Sequence, residues 1–229
     1  MTDTQIFEPE GRAIPYVVEG DGPGLVLIAG QGLGVDYLGS VAHWMAGEDF
    51  RVVRIGSRRP AGLADAAAPA GTAVSMSDLA QDVVDVMDHA GVATAWVGGH
   101  AFGGTVARTV SLEHGDRVNG VLLLAVEGAE PAGPADFSGI PERFRDAEVE
   151  PMQIAARTAT PLAPLATGVP VLVLQGTDDT VTPVANGDAL KASAPDRVSV
   201  VAIEGGTHMF PATHIGATSF AIEDYLDWD

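Results

Sequence analysis

The chain has 229 residues, 46% of them hydrophobic, with 28 Gly and 15 Pro. A chain of that length buries about 70% of its unfolded surface, which excludes disorder and collagen-like repeats. Twelve Lys and Arg stand against 31 Asp and Glu, a net charge of −19, so nucleic acid and anionic membrane surfaces are disfavoured as partners. With no Cys there is no disulfide framework, thiolate nucleophile or Cys-type zinc site.

Met1 to Phe7 carries no basic or apolar leader pattern, and no stretch reaches the roughly 18 apolar residues of a membrane span, so a cytoplasmic protein is expected. Short β-rich apolar runs predict strands at Ile14 to Glu19, Leu25 to Ala29, Phe50 to Ile55, Thr94 to Val97, Val118 to Val126, Pro170 to Gln175 and Val198 to Ile203. Continuous runs such as Val121 to Ala125 suit strands covered on both faces, as in a mostly parallel sheet flanked by helices. Pro60 to Gly71, rich in Ala, Pro and Gly, is expected to be a surface loop. A helix is predicted from Ser77 to Ala90, with Leu79, Val83, Val86, Met87 and Ala90 on one stripe and Asp82, Asp85 and Asp88 pointing away. Ser75 and Asp78 supply its start signal and Gly91 its stop. Further helices are expected over Phe102 to His114 and Pro211 to Leu226. Glu127 to Leu165 looks like a cap insertion in a single domain spanning 1–229, with short helices near Pro141 to Phe144 and Met152 to Thr158.

In Trp96-Val-Gly-Gly-His-Ala-Phe-Gly-Gly-Thr-Val-Ala107, a strand enters a Gly-rich turn and leaves as a helix, with Gly99 and Gly103 flanking position 101. The string Gly99 to Gly104 resembles the G-H-S-x-G-G nucleophile elbow of the α/β-hydrolase family, with Ala101 where that family has serine. The segment Gln175 to Pro183 resembles the family's acid loop and points to Asp179. Gly205 to Pro211 resembles its histidine loop and points to His208. Asp178 and Glu127 are the reserve acids. Leu25 to Gly34 resembles the strand and loop that build half of the oxyanion hole, which implies the N–H groups of Gln31 and Phe102 as donors; Ala29 stands where many members have His. The segment Gly56 to Gly62 matches the family only loosely and receives no role.

The resemblance runs from about Ile14 to Leu226 and implies an α/β-hydrolase fold, a mostly parallel central sheet with flanking helices. It also implies a catalytic set of position 101, Asp179 and His208, acting on a carboxylic ester or lactone. Candidate substrate-binding residues are Gly30, Tyr37, Trp44, His100, Phe137, Phe144, Met152, Met209 and Phe210, which suit a small or medium apolar substrate. His100 is expected chiefly to pack and hydrogen-bond. His43, His89, His114 and His214 show no metal-ligand spacing, so no metal or other cofactor is expected; a homodimer is left open.

Alanine cannot attack a carbonyl or accept a proton. The intact surroundings therefore favour a serine-to-alanine replacement in a serine hydrolase, which would bind substrate without turnover. The alternatives are a natural nucleophile-free ligand-binding relative and a catalyst of a non-hydrolytic cyclase or lyase step.

Overall fold

A computed structural model of the protein describes residues 3–60, 73–129 and 132–227. The strands are β1 (Gln5–Phe7), β2 (Arg12–Glu19), β3 (Gly24–Ile28), β4 (Arg51–Ile55), β5 (Arg59–Pro60), β6 (Ala95–His100), β7 (Val118–Leu124), β8 (Val171–Gly176) and β9 (Val198–Ile203). The α-helices are α1 (Gly39–Gly47), α2 (Met76–His89), α3 (Phe102–Glu113), α4 (Glu150–Ala159), α5 (Val184–Ser193), α6 (Phe210–Thr213) and α7 (Ile215–Leu226). One sheet runs β1-β2-β4-β3-β6-β7-β8-β9, with β5 pairing to β2. From β4 to β9 along that order every pairing is parallel, whereas β2 lies antiparallel to both β1 and β4.

The apolar runs are continuous because the sheet has a core on each face. Alternate side chains of one strand go to opposite sides. Val26 and Ile28 of β3, Val121 and Leu123 of β7, and Val171 and Val173 of β8 join α2 and α3 in one cluster. Leu25 and Leu27, Leu122 and Leu124, and Leu172 and Leu174 join α1, α6 and α7 in the other. All seven predicted strands are present, with ends displaced by up to three residues.

Helix α2 begins as its sequence signals. Ser75 Oγ accepts from the Asp78 amide at 3.1 Å, and the Asp78 carboxylate accepts from the Ser75 amide at 2.9 Å, a closed capping box. Asp82, expected to point to water, is buried instead and binds Arg12 at 2.6 Å and Arg58 at 2.5 Å. Burial raises its carboxyl, and the two guanidiniums only partly oppose that.

Helices α1 and α5 and the edge strand β1 are additions to the predicted order. Neither helix has a side-chain N-cap, and α5 buries only Gly187, so neither end signal nor apolar stripe announces them. The predicted final helix is two, broken at His214, whose ψ of 47° leaves helical geometry. The expected loop after Pro60 lies outside the described residues. Among the described residues no helix is long and apolar enough to cross a membrane.

Ser75→Ala removes one half of the capping box, and urea unfolding is expected to show a loss of about 1 kcal/mol.

Candidate active site

Strand β6 ends at His100, and α3 starts at Phe102, leaving a single residue to turn the chain. Ala101 does so with φ 46° and ψ −106°, a backbone conformation that costs a residue with a Cβ about 1–3 kcal/mol. It is held from both sides: its amide donates to Leu124 O at 2.7 Å, and its carbonyl accepts from the Thr105 amide at 3.1 Å. The turn also needs backbones in contact. A Cβ at Gly99 would lie 2.5 Å from Ile28 O, and one at Gly103 would lie 2.3 Å from the same oxygen. Both glycines are therefore required where β6, α3 and the end of β3 meet.

The two loops after β8 and β9 meet behind this turn. Asp179 Oδ1 accepts the amides of Val181 at 2.8 Å and Thr182 at 2.9 Å, which winds the loop around its own carboxylate. Oδ2 accepts the Thr182 hydroxyl at 2.5 Å and His208 Nδ1 at 3.0 Å. Burial alone would raise the Asp179 carboxyl. The His208 hydrogen bond and charge, with the Thr182 bonds, outweigh it and hold the group below the usual carboxylate range. Nδ1 thus carries the donated proton, and Nε2 is left as the basic nitrogen. Asp178, one of the reserve acids, is exposed, whereas Asp179 is buried.

His100 lies against this pair, its ring centroid 4.6 Å from that of His208. Its Nε2 donates to the His208 carbonyl at 2.8 Å, which leaves Nδ1 unprotonated and facing Gly30, where a Cβ would come within 2.4 Å. Burial, then the neighbouring His208 charge, push its pKa down to about 3, despite the bond to the His208 carbonyl. It works as a neutral donor that fixes the His208 loop.

Gln31, His100, Ala101, Phe102, Glu127, Phe137, His208 and Met209 line one cleft, joined by Ala132, Gly133 and Ala135. It is a small cleft. Among the described residues neither the Gln31 amide nor the Phe102 amide has an acceptor, and Phe102 opens α3, where the helix dipole favours negative charge. Of the other sequence candidates, Tyr37 is buried behind His100 at 5.1 Å between ring centroids, and Phe144 stands edge-on to Tyr37. Gly30 backs His100, and Met152 packs on the core cluster of α2 and α3.

Trp44 and Phe210 do not line the cleft either. Trp44 is on the outer side of α1, 40% exposed and donating to Glu223 at 3.0 Å; Phe210 is wholly buried against α1 and α7. Glu127, a reserve acid, lines the cleft but does not reach His208. Its carboxylate takes the Thr105 hydroxyl at 2.5 Å and buried Arg157 at 3.1 Å. Thr182 was missed, although its place three residues after Asp179 is the signal for a loop that closes on its own carboxylate.

The comparisons with known proteins agree with this architecture. A family profile described as alpha/beta hydrolase fold matches residues 49–155, which include β6, the elbow and α3. The chain has the α/β-hydrolase fold. A thermophilic esterase from Thermogutta terrifontis, malate bound, is similar with a TM-score of 0.76 at 18% identity over 98% of both chains. Epoxide hydrolases of the α/β-hydrolase superfamily from metagenomes of hot environments give 0.76 at 17% over 99% of both. A meta-cleavage product hydrolase from Pseudomonas fluorescens IP01, a serine-to-alanine mutant complexed with acetates, gives 0.72 at 16% over 97% of both. At these identities the likeness is one of fold.

The buried neutral His100 makes stability depend on pH. The unfolded imidazole protonates near pH 6.5 while the folded one stays neutral down to about 3, so between these values the unfolded chain binds more protons and stability is lost as pH is lowered. His100→Gln removes that term. Urea titrations stepped from about pH 7.5 to pH 4 are expected to show the parent losing stability relative to the variant as pH falls, by up to about 1.4 kcal/mol per unit; parallel curves would refute the assignment.

Proposed function

We propose that this site is that of a serine hydrolase for a carboxylic ester or lactone, with alanine at the position of the nucleophile. The observation that supports the reading is the buried Asp179–His208 pair opening onto the same cleft as Ala101, the residue at the strained turn. With serine at position 101 its oxygen would attack the substrate carbonyl carbon while His208 Nε2 takes the hydroxyl proton. Asp179 would stabilise the imidazolium, and the Gln31 and Phe102 amides would bind the oxyanion. As the C–O bond to the leaving group breaks, the imidazolium returns the proton to the departing oxygen. Water then repeats the sequence on the acyl-enzyme, releasing the acid and restoring the hydroxyl.

Alanine keeps the shape and removes the attacking oxygen, so the chain as it stands binds without forming an acyl-enzyme. A carboxylate nucleophile, as an epoxide hydrolase would need, is a larger departure from Ala101 than serine is. Phe102, Phe137, Met209, Ala132 and Ala135 make an apolar, narrow lining, which favours a compact acyl or ring substrate over a charged one.

One observation favours a second reading. The basic nitrogen of His208 borders a cleft where position 101 carries no nucleophile, which suits a step needing only proton transfer, a cyclisation or elimination. Conversion by the chain as it stands, abolished by His208→Ala, would establish that reading.

The test of the first is Ala101→Ser, assayed on p-nitrophenyl esters of increasing chain length and on a panel of small lactones. A fully assembled triad gains about six orders of magnitude in kcat over its nucleophile-free form, and the gain should vanish in the Ala101→Ser/His208→Ala double variant. No turnover above the alanine form on any substrate would overturn it.

A further inference from the structure

The loop that presents the Gln31 amide is poorly supported by itself. Within Gly30 to Gly34 the backbone makes one bond of its own, from the Leu33 amide to Gly30 O at 3.2 Å. The remaining support comes from the segment between β7 and β8. The Gly34 amide donates to Phe144 O at 2.8 Å, Gly32 O accepts the Asp146 amide at 2.9 Å, and Leu33 pairs with Arg145 as an isolated bridge.

The Gly32 amide is the one that faces a side chain, and it donates to Gln153 Oε1 at 2.8 Å. Gln153 is completely buried, and its Nε2 donates to Ser57 Oγ at 2.7 Å. The Gly32 N–H needs an acceptor, so the amide can stand only one way round, with its oxygen on the loop. Gly32 has φ +65°, and a Cβ there would come within 3.1 Å of the Glu150 carboxylate, so the chain turns tightly against α4. Glu150, Gln153 and Arg157 fall on one face of that helix. Glu150 accepts from the Gln31 side chain at 3.3 Å, and Arg157 reaches α3 through Glu127 and Thr105. One helix face is therefore joined to the Gly30–Gly34 loop directly and to α3 through Glu127.

We propose that Gln153 is a positioning residue: it holds the peptide that joins Gln31 to Gly32, and so fixes the Gln31 backbone and aims its N–H into the cleft. The inference rests on the reading of that amide as an oxyanion donor. A donor useful only in the transition state acts on kcat and leaves KM nearly unchanged, and a misplacement of about 1 Å costs up to about a hundredfold.

The test uses three substitutions in the Ala101→Ser protein and in the parent. Gln153→Met keeps length and volume but removes the acceptor; Gln153→Glu keeps the acceptor; Ser57→Ala frees the far end of the amide. In the Ala101→Ser protein Gln153→Met is expected to lower kcat about tenfold to a hundredfold with KM within about twofold, Gln153→Glu to restore most of it, and Ser57→Ala to give a smaller loss in the same direction. In the parent, amide hydrogen exchange reads the loop without any turnover. Gly32 protection should be lost in Gln153→Met and kept in Gln153→Glu, with β3 and α3 unchanged.

Unchanged Gly32 exchange in Gln153→Met, or unchanged kcat in an active Ala101→Ser background, would overturn the proposal. Failure of Gln153→Glu to rescue either readout would do the same. Should Gln153→Met not fold, Ser57→Ala carries the test, and unchanged kcat and Gly32 exchange there overturn it. An inert Ala101→Ser protein would count against the hydrolase reading alone, and the exchange measurements would then decide the role of Gln153.

Discussion

The site depends on the crowding of four backbones around residue 101. Strand β6 enters between β3 and β7, and α3 leaves back across β3; Gly98 admits no Cβ because Leu122 would lie 2.5 Å from it, and Gly99 and Gly103 admit none because of Ile28 O. A chain so confined can reverse only by placing its one turning residue at positive φ, and two backbone bonds hold that residue there. The contact between Gly103 and the end of β3 also sets where the loop after β3 can lie, and hence the relation between the Gln31 and Phe102 amides. Serine and alanine have the same Cβ and bear the same backbone cost at this turn. A hydroxyl on this Cβ would change the chemistry and leave the constraint in force.

The chain's scarce cations are placed where carboxylates are buried. Arg12 and Arg58 share Asp82, Arg54 binds Glu19, and Arg157 binds Glu127 with both partners almost wholly enclosed. With twelve basic residues against thirty-one acidic ones, committing arginines inward leaves the acidic excess to the surface. The net charge of −19 thus reports the outside of the molecule and says little about the cleft. Removing one member of an enclosed pair such as Arg157–Glu127 costs about 3–5 kcal/mol, so this pair fixes the packing of α4 more than it adds stability.

What the sequence made legible was whatever repeats locally. The strands show as apolar runs and α2 as a stripe between Ser75 and Gly91. Asp179 and His208 stand out only through the resemblance of the loops that carry them, after β8 and β9, to the acid and histidine loops of the α/β-hydrolase family. Helices α1 and α5 were illegible because neither end carries a capping side chain. Trp44 and Phe210 were substrate-binding candidates by nearness to the motifs in sequence, yet neither lines the cleft, because such nearness does not tell which way a side chain points. Trp44 faces outward from α1 to reach Glu223, and Phe210 turns into the opposite core. Gln153 carries no local signal at all: its partners lie 121 and 96 positions away, and only the folded chain brings them together.

Two imidazoles 4.6 Å apart cannot both be charged cheaply, and the surroundings separate their duties. His100 is enclosed and spends its one N–H on the His208 carbonyl, so it holds the loop and takes no part in proton traffic. His208 is tied to Asp179 through Nδ1, which fixes the ring and leaves Nε2 as the nitrogen able to exchange a proton. The Thr182 hydroxyl completes the carboxylate's shell and keeps its charge directed at the imidazole. This arrangement can accept one proton and return it, and it needs a group across the cleft to supply that proton. The Ala101 methyl carries no exchangeable proton, so that group is not residue 101.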